Sequence, residues 1–504
     1  MSPPPTNRPS FIKQLDSELT PRRVFEALEG KSGRLWFDSS AASGQEDDAA
    51  KALSRYSFVT ADPLDVRRVL PGEPNPWPEL DRWVSRLPDS NDHSLPPFQG
   101  GIAGLLGYEA ARWLEPKALG EHHKLQVVDL PTPAICLGLY DWVVAFDHEQ
   151  KQCWLISQGF TADELGGSSA GDSVSRRERA NARAKSVEQM IAIASLSRFE
   201  PDGRWRSTPH LDPAKLADQL GLVSNFLGSE YRDAVAHIIE RIRGGDSFQV
   251  NLAQRLLTPQ RVPPDELYLH LRHENPAPFA GYYDGGDFQV LSSSPEGFLQ
   301  LRDRTVATRP IKGTIARTGI EEHDESLRRE LSASEKDRAE NIMIVDLMRN
   351  DLSRVCTDDS VEVTQLCDVE RFRYVQHLVS VVESRLRDEV SPVDLMRACF
   401  PGGSVTGAPK IEAMKTIARL ETHPRGPYCG SLGYFGCGGN ADFNILIRTI
   451  TATRGFLQIP VGGGITAQSN PAAEEAETWT KAAGMLRAIH QAHEAASTAI
   501  SAAS

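Results

Sequence analysis

The chain is organised around the stretch TRPIKGT, residues 308–314. An alternating apolar run over residues 299–307 precedes it and predicts a single β-strand. The glycine after Lys312 permits a close backbone approach that a side chain would block. Lys312 is therefore either an amine presented to a small bound molecule or, like most lysines, a solvated side chain in a turn.

The composition is that of an ordinary globular protein. The chain has 504 residues, of which 40% are hydrophobic and 24% charged, enough for one large domain or two to three ordinary ones. Its net charge of −13 argues against nucleic-acid binding, because recognition of phosphate depends on clustered Lys and Arg. An anionic ligand would need a local basic pocket.

Three features of the sequence indicate its compartment. No run of about 18 apolar residues predicts a membrane-spanning helix, and the proline-rich start lacks the apolar core of a signal peptide. The seven cysteines are odd in number and include no Cys-x-x-Cys pair, which favours reduced thiols over disulfides or a zinc site. We therefore expect a cytoplasmic protein without a membrane partner.

Composition and pattern divide the chain into four segments. They predict a disordered tail at residues 1–10, a first folded region at 11–200, a polar linker at 201–228 and a second folded region at 229–495. Predicted strands outnumber predicted helices without alternating regularly with them. This pattern favours an α+β fold over a doubly wound one.

Several predicted elements in the two regions are long or glycine-rich. Two apolar runs, residues 134–147 and 443–452, each predict one continuous strand. A strand at 456–460 is followed by three glycines at 462–464, which either bring backbone amides close to a ligand or simply turn the chain. The last predicted helix spans residues 471–495.

Two predicted helices carry carboxylates at helical spacing. On the last helix, Glu474, Glu477 and Lys481 share one face. An earlier helix repeats the theme with Asp337 and Glu340. Such faces are usually solvated, but two of them meeting in one cleft would suit a hard cation such as magnesium.

Other single residues give weaker signals. Thr406 and Gly407 precede a predicted helix, whose first backbone N–H groups can hold a carboxylate. Glu296 follows a Ser-Pro at a strand end and is a candidate acid with a pKa raised by burial. Arg448, within a predicted strand, needs an anionic partner if buried, whereas a lone His377 in an apolar run is more often structural.

Taken together, the ordered motifs at residues 229–490 resemble the chorismate-utilising enzymes, the family that includes anthranilate synthase component I and the isochorismate and salicylate synthases. The resemblance implies a large two-sheet β-sandwich core flanked by helices, the chorismate-binding enzyme fold. It assigns residues 11–200 to the variable N-terminal part of the family. The matching motifs are DSFQVNL (246–252), SPE (294–296), PIKGT (310–314), KDRAEN with VDL (336–347), GSVTGAPK (403–410) and the stretch at 462–481.

The resemblance also implies a subtype. A lysine at position 312 is typical of the aminodeoxychorismate synthases, on the para-aminobenzoate branch of folate biosynthesis, whereas anthranilate synthases usually have alanine there. The implied product is 4-amino-4-deoxychorismate. Two alternatives remain: an anthranilate-forming or bifunctional enzyme, and a non-catalytic partner of a glutaminase.

Roles for individual residues follow from the resemblance. Lys312 is implied to be the nucleophile that adds at ring C2, and Glu296 the acid that protonates the departing 4-hydroxyl. Glu340 and Glu477, with Glu474, are the implied ligands of a Mg²⁺ cofactor. The implied chorismate-binding residues are Gly313, Thr314, His377, Thr406, Gly407, Tyr434, Arg448, Gly463, Gly464 and Lys481.

The implied reaction needs ammonia. The sequence has no Gly-x-Cys-x-Gly nucleophile motif, and Cys429 fits a structural thiol better than a catalytic one. The family pattern therefore implies a separate glutamine amidotransferase subunit, although free ammonia could serve. Residues 15–18 and 275–279 resemble a tryptophan pocket of relatives, and whether tryptophan binds stays open.

Overall fold

The computed structural model of the protein describes residues 8–39, 48–119, 126–166, 173–196, 212–372 and 375–503. Most of the predicted tail at 1–10 and part of the predicted linker at 201–228 lie outside these ranges.

Within the described residues, strands are the main elements. In chain order they are β1 (Phe11–Gln14), β2 (Leu35–Asp38), β3 (Tyr56–Thr60), β4 (Val66–Val69), β5 (Gly101–Leu106), β6 (Ile135–Tyr140), β7 (Trp142–Asp147), β8 (Gln152–Ser157), β9 (Val223–Ser224), β10 (Gln249–Pro259), β11 (Phe279–Asp284), β12 (Phe288–Ser294), β13 (Gly297–Arg302), β14 (Thr305–Thr308), β15 (Ile311–Ala316), β16 (Glu362–Arg371), β17 (Val375–Arg385), β18 (Gly407–Ala408), β19 (Ser431–Gly436), β20 (Ala441–Asn444), β21 (Thr449–Thr453) and β22 (Phe456–Thr466).

Helices surround the strands, and within the described ranges no helix combines the length and apolarity needed to cross a membrane. Two 3₁₀ turns lie at Tyr108–Trp113 and Gly403–Val405. The helices are α1 (Pro21–Ala27), α2 (Asp48–Leu53), α3 (Trp77–Val84), α4 (Pro116–Leu119), α5 (Ala162–Gly166), α6 (Ser173–Leu196), α7 (Pro213–Leu220), α8 (Gly228–Arg243), α9 (Pro264–Glu274), α10 (Glu321–Ala333), α11 (Glu335–Ser353), α12 (Pro392–Cys399), α13 (Lys410–Leu420) and α14 (Pro471–Ala503).

The strands form two antiparallel sheets. The larger has the order β1-β8-β7-β3-β2-β11-β12-β21-β22-β10-β18, with β9 also pairing with β10. The smaller has the order β15-β17-β14-β13-β20-β19-β5-β6-β4, with β16 also pairing with β17. Strands from the first and second halves of the chain are neighbours in both sheets, since β2 pairs with β11 and β5 with β19.

The two sheets pack face to face, which confirms the predicted α+β fold with a sandwich core. One buried cluster joins Phe58 and Val290 of the larger sheet to Leu105 and Leu432 of the smaller sheet. The cluster is apolar because alternate residues of each strand point into the space between the sheets.

Helices α11 and α14 pack against different sheets. Ile344 of α11 is fully buried in a cluster with Leu299 of the smaller sheet. Ile489 of α14 is fully buried in a cluster with Leu256 of the larger sheet. Burying an aliphatic side chain of this size contributes roughly 1.5–3 kcal/mol, so each helix is fixed by its apolar face and leaves its polar face free for chemistry.

The predicted single strand at 299–307 was wrong. The chain forms a hairpin, β13 and β14, joined at Asp303 and Arg304, which have φ values of 49° and 67°. Two-residue hairpin turns favour this left-handed backbone and usually contain Gly or Asn. Asp-Arg is a weak signal for such a turn, so the alternating apolar pattern predicted one strand across it.

The long single strands predicted at 134–147 and 443–452 were also wrong, because each region forms two successive strands. The chain switches sheets at Asp141, between β6 and β7, and again between β20 and β21. Both strands of each pair are buried, so hydrophobicity alone shows no break. Arg448, expected inside a strand, instead lies just before β21 with a φ of 51°.

The glycines at 462–464 lie within a strand, so the expectation that β22 ends at residue 460 was wrong. Strand β22 continues to Thr466 and pairs with β10 along its length. A Cβ on Gly462 would collide with the Leu252 carbonyl, so a close strand approach requires the glycine.

Candidate active site

Lys312 lies on β15, an edge strand of the smaller sheet. The register between β15 and β17 shifts between Lys312 and Thr314, and Gly313 at this bulge has a φ of 77°. A Cβ on Gly313 would lie 2.9 Å from Cγ of Asp337 on α11. The glycine therefore lets the Asp337 side chain of α11 pack directly against the strand that carries the lysine.

The Lys312 amine points into the structure. Its Nζ donates a hydrogen bond of 3.2 Å to the Ser404 carbonyl. Burial lowers the pKa of Lys312, while the carboxylates of Glu340 and Glu296 act in the opposite direction. A lysine whose pKa is lowered has a larger fraction of neutral, nucleophilic amine near neutral pH. Of the two interpretations of Lys312, the structure favours the presented amine.

Glu296 is the buried carboxyl of the site, with 4% of its surface exposed. Burial raises the pKa of Glu296 to about 7, although the Ser404 hydroxyl, the Lys312 ammonium and the Ile311 backbone N–H each lower it. A carboxyl with a pKa near neutrality is partly protonated at working pH and can donate its proton.

Acidic residues from α11 and α14 meet beside this pair. The Lys336 ammonium lies 3.9 Å from Oε1 of Glu340 on α11 and 4.0 Å from Oε1 of Glu474 on α14. Two helices that are fixed on different sheets therefore each bring a carboxylate to within 4.0 Å of one cation.

The protonation of these carboxylates is coupled. Burial raises the pKa of Glu340 and of Glu474, and each of the two has other acidic neighbours that raise it further. Burial also acts to raise the pKa of Glu477, but the ammonium groups of Lys481, 2.8 Å away, Lys336 and Lys312 together outweigh it, and the pKa is lowered overall. The site thus concentrates negative charge that a cation would relieve.

The donor set fits a magnesium ion. In the ranges that the structure describes, no group of three or more His, Cys, Asp or Glu side chains encloses a metal position, but Mg²⁺ typically takes one or two carboxylates plus waters and substrate oxygens. Oε1 of Glu340 is buried and accepts no hydrogen bond, which leaves a charged acceptor for a cation. Asp337 is committed elsewhere, since Ser334 donates to it at 2.5 Å in the helix cap.

Arg448 provides the basic side of the site. Its guanidinium donates to the Lys481 carbonyl at 3.1 Å, and in the described part of the chain no carboxylate forms an ion pair with it. Burial lowers the pKa of Arg448, against the raising effect of Tyr428 and Glu477. A partly buried guanidinium without a carboxylate partner is a suitable receptor for a ligand carboxylate.

His377 and Thr314 form one wall. His377 Nδ1 lies 2.8 Å from Thr314 Oγ1 across the β15–β17 pair. Burial, together with nearby Arg448, lowers the pKa of His377 to about 3. The imidazole is therefore neutral at physiological pH, and Thr314 is the exposed end of this pair.

The glycine strand β22 forms another wall. A Cβ on Gly463 would lie 3.2 Å from Oε2 of Glu474 and 3.5 Å from Nζ of Lys481. Lys481 also donates to the Gly462 carbonyl at 2.9 Å. The backbone here is thus open to the charged face of α14.

Gln249 is a polar residue that the sequence analysis did not single out. It lies on β10, its side chain would collide with a Cβ on Gly464, and both amide atoms are buried without a hydrogen-bond partner. Buried amides are normally paired, so this one is available to a small polar ligand. The sequence signal for Gln249 was a glutamine at the first position of β10, a largely buried strand.

One of the predicted substrate residues, Tyr434, is placed differently from the expectation. It packs in the sandwich core, with its ring centroid 4.5 Å from that of Phe98, and the structure does not bring it to the other site residues. The Thr406 hydroxyl donates to the Gly402 carbonyl at 3.0 Å, and Gly407 pairs with β10. Helix α13 begins at residue 410, so Thr406 and Gly407 precede it, as the sequence predicted.

Known proteins share this arrangement of sequence and fold. A sequence model described as "chorismate binding enzyme" matches residues 34–487. The chain belongs to the chorismate-binding enzyme family. It is 38% identical over 489 residues to anthranilate synthase component 1 of Streptomyces coelicolor, covering 96% of this chain and 89% of the relative. It is 33% identical over 494 residues to aminodeoxychorismate synthase component 1 of Bacillus subtilis, covering 97% of each.

A solved structure gives the same result. Anthranilate synthase component I from Streptococcus pneumoniae superposes with a TM-score of 0.70 at 30% identity, covering 86% of this chain and 92% of that one. This chorismate-binding enzyme therefore places an amine, an acid, three carboxylates and a guanidinium around one site, and among the described residues no carboxylate pairs with that guanidinium. That combination suits protonation of a leaving hydroxyl on a substrate with carboxylate groups.

Proposed function

We propose that this chain is component I of an aminodeoxychorismate synthase, which converts chorismate and ammonia to 4-amino-4-deoxychorismate for para-aminobenzoate and folate biosynthesis. The observation that carries the proposal is the inward Lys312 amine, hydrogen-bonded to the Ser404 carbonyl at 3.2 Å, together with the buried Glu296 carboxyl, since each of the two charges acts on the pKa of the other. An amine of lowered pKa next to a carboxyl of raised pKa forms a nucleophile and an acid that act on one substrate.

The reaction proceeds in two displacements. The neutral Lys312 nitrogen forms a bond to ring C2, the two conjugated ring double bonds each shift by one position, and the C4–O bond breaks. Glu296 gives its proton to the departing oxygen, which leaves as water, and the resulting carboxylate takes a proton from the Lys312 nitrogen. Ammonia then forms the C4–N bond, the two double bonds shift back, and the C2–N bond breaks. Glu296 returns its proton to the departing Lys312 nitrogen and takes one from the new C4 ammonium.

Binding groups hold the substrate for these steps. Arg448 and Lys481 would receive one substrate carboxylate, and the neutral imidazole of His377 would close the wall beside the ring. Glu340 and Glu477, with Glu474, would hold Mg²⁺, whose positive charge anchors and polarises the ring carboxylate when it is bound.

Ammonia would come from a separate glutamine amidotransferase subunit. The relatives named component 1 support this part of the proposal, because a first component implies a second. Free ammonium would replace the partner in a test tube.

Anthranilate synthesis is the second candidate. The 38% identity to a Streptomyces anthranilate synthase over 96% of this chain favours it as much as the Bacillus relative favours the first. In that reaction ammonia attacks C2 directly and pyruvate is lost, so the Lys312 amine would occupy the approach that ammonia needs. A bifunctional enzyme would release both products.

Product analysis separates these functions. The full chain is incubated with chorismate, magnesium chloride and ammonium, and the products are identified by chromatography and mass spectrometry. We expect 4-amino-4-deoxychorismate without pyruvate. Anthranilate with pyruvate would reject the proposal, and absence of turnover would favour a non-catalytic partner of a glutaminase.

The Lys312→Ala variant tests the nucleophile in the same assay. We expect it to lose 4-amino-4-deoxychorismate as a product or to let water or ammonia attack C2. An unchanged rate and product would rule out a nucleophilic lysine.

A further inference from the structure

Two cavities share one buried wall. The larger, of about 180 Å³, is lined by the loop at residues 128–132 and by β10. The smaller, of about 20 Å³, is lined by the 3₁₀ turn Tyr108–Trp113 and by α13. Glu109, Glu421 and Arg425 line both. A water-sized molecule needs roughly 10–15 Å³, so the smaller cavity has room for one such molecule beside the shared wall.

The shared wall has one carboxylate more than its cation balances. Nη2 and Nε of Arg425 donate to the Glu421 carboxylate at 2.6 and 2.8 Å. Glu109, with 8% of its surface exposed, accepts instead from the backbone N–H groups of Arg425 and Gly426, at 2.9 and 3.0 Å. Among the described residues no Lys, Arg or His side chain forms an ion pair with Glu109. A buried carboxylate without a cation partner attracts a small cation from water.

Tyr108 contributes a second acceptor to the smaller cavity. It lines this cavity, only 3% of it is exposed, and its hydroxyl has no hydrogen-bond partner in the described part of the chain. Its ring is fixed against Arg425, whose Cζ lies 4.8 Å from the ring centroid. Buried hydroxyls are normally paired. Tyr108 and Glu109 therefore present a hydroxyl and a carboxylate to one water-sized space.

The same wall reaches the 3₁₀ turn beside the reacting amine. Nη1 of Arg425 donates to the Val405 carbonyl at 2.9 Å. Val405 directly follows Ser404, whose carbonyl accepts the Lys312 hydrogen bond of 3.2 Å. One arginine side chain therefore contacts both the cavities and the turn that holds the nucleophile.

We propose that the smaller cavity binds ammonium, the source of the attacking ammonia, between the Tyr108 hydroxyl and the Glu109 carboxylate, and that the larger cavity is its route from the surface. This proposal rests on the proposed function, because that reaction consumes ammonia. Ammonium is about the size of water and carries only N–H donors, which suits two oxygen acceptors. The larger cavity is lined by Val128, which is 51% exposed, and so reaches the surface.

The bound ammonium must lose a proton, because only neutral ammonia attacks the ring. Burial raises the pKa of Glu109 to about 7, so its carboxylate can accept a proton near neutral pH. One N–H bond of ammonium breaks, one O–H bond forms on Glu109, and neutral ammonia moves on towards the turn. The Arg425 cation repels ammonium but not ammonia, and Glu109 then returns the proton to water in the larger cavity.

The test measures KM for ammonium and KM for chorismate with the full chain and magnesium. We expect Tyr108→Phe to raise KM for ammonium about fivefold to tenfold, since a hydrogen bond to a charged group is lost. Glu109→Gln, which removes the charge, should raise it more than about tenfold. In both variants KM for chorismate should change less than about twofold, because chorismate does not enter this cavity.

Tyr140→Phe is the matched control. The Tyr140 hydroxyl is bonded to the Gly33 carbonyl at 2.7 Å, and Tyr140 lines neither cavity. This control should lose stability, because a buried acceptor loses its donor, and should keep both KM values. Tyr108→Phe breaks no hydrogen bond of the described residues, so it should keep its stability.

A second measurement needs no turnover. Thermal unfolding is followed in ammonium chloride and in sodium chloride at equal concentration, with magnesium chloride present in both. A ligand that binds only the folded state raises Tm. The parent and Tyr140→Phe should therefore melt higher in ammonium than in sodium, whereas Tyr108→Phe and Glu109→Gln should lose most of this difference.

Two results would overturn the proposal. One is a parent-like KM for ammonium in both cavity variants with equal Tm values in the two salts, which would mean that the cavity holds water only. The other is a parallel rise of both KM values, which would indicate a disturbance of the turn through Arg425. The proposed function fails separately, through product identity, because ammonium is consumed whether the product is 4-amino-4-deoxychorismate or anthranilate. If the chain does not turn over, the comparison of the two salts still decides.

Discussion

At the scale of single residues, the site depends on burial that changes the proton affinity of ordinary side chains. Glu296 and Lys312 are unremarkable in sequence, and their types and order could be assigned from motifs. The raised pKa of Glu296 was expected from burial, and burial is the largest cause of the altered pKa of both residues. The opposing effects of Ser404 on Glu296 and of Glu340 on Lys312 could not be assigned, because these residues are distant in the chain. The placement of Tyr434 in the sandwich core likewise depends on residues distant in the chain, whereas Tyr428, six positions earlier, is the tyrosine that acts on the pKa of Arg448.

Burial of Glu296 should also be visible in stability. Its pKa is raised from 4.5 to about 7 in the folded protein, so the folded state binds a proton more tightly than the unfolded state. The stabilisation is fully present below the unfolded pKa and is lost as pH rises through about 7, by up to ~3 kcal/mol. Between pH 5 and about pH 8, a range that contains the raised pKa, we expect the free energy of unfolding of Glu296→Gln to fall less than that of the parent protein.

The measurement is urea unfolding of both proteins at the two pH values. Glu109, whose pKa burial also raises to about 7, contributes equally to both proteins and cancels in the comparison. Parallel losses of stability in parent and variant would show that the Glu296 carboxyl is not desolvated as described.

At the scale of elements, local signals located helices better than they located strand breaks. Asn470, directly before Pro471, caps α14 by accepting hydrogen bonds from the N–H groups of Ala472 and Ala473, both at 3.1 Å, and Asn followed by Pro is a helix-start signal that the sequence carries. The break before Arg448 has no such signal, because it is imposed by the change from one sheet to the other. The sequence therefore predicts element type well, but not where an apolar run changes sheets.

The bulge at Gly313 allows a prediction with an internal control. Gly313→Ala would strain a left-handed backbone and place Cβ against Asp337 and Leu331, both at 2.9 Å. Gly319→Ala imposes a similar strain at a φ of 80° but meets no atom within 4 Å. Backbone strain alone costs about 1–2 kcal/mol, so only Gly313→Ala should also push α11 and Glu340 away from Lys312.

Both variants are examined by thermal unfolding and by kcat with chorismate and ammonium. We expect each to be destabilised, but only Gly313→Ala to lose more than about tenfold in kcat, since small displacements of reacting groups are costly. Equal activity of the two variants would mean that the approach of α11 to this strand does not position the site.

At the scale of the whole molecule, the site depends on two sheets that each draw strands from both halves of the chain. Without residues before 200, β11 loses β2 and β19 loses β5. The core between the sheets would also lose Phe58 and Leu105. Exposed strand edges of this kind promote aggregation, so we expect residues 229–495 expressed alone to be insoluble or to unfold without cooperativity.

Co-expression of residues 1–200 with residues 229–495 is the matched control, because it restores the missing strands without the segment between them. We expect the pair to associate and to show one cooperative transition by circular dichroism, since both pieces complete the same two sheets. A fragment of residues 229–495 that unfolds cooperatively and binds chorismate alone would contradict this. In that case the sheet pairing across the two halves would be dispensable, and the acidic cleft between α11 and α14 would hold together through the second half of the chain only.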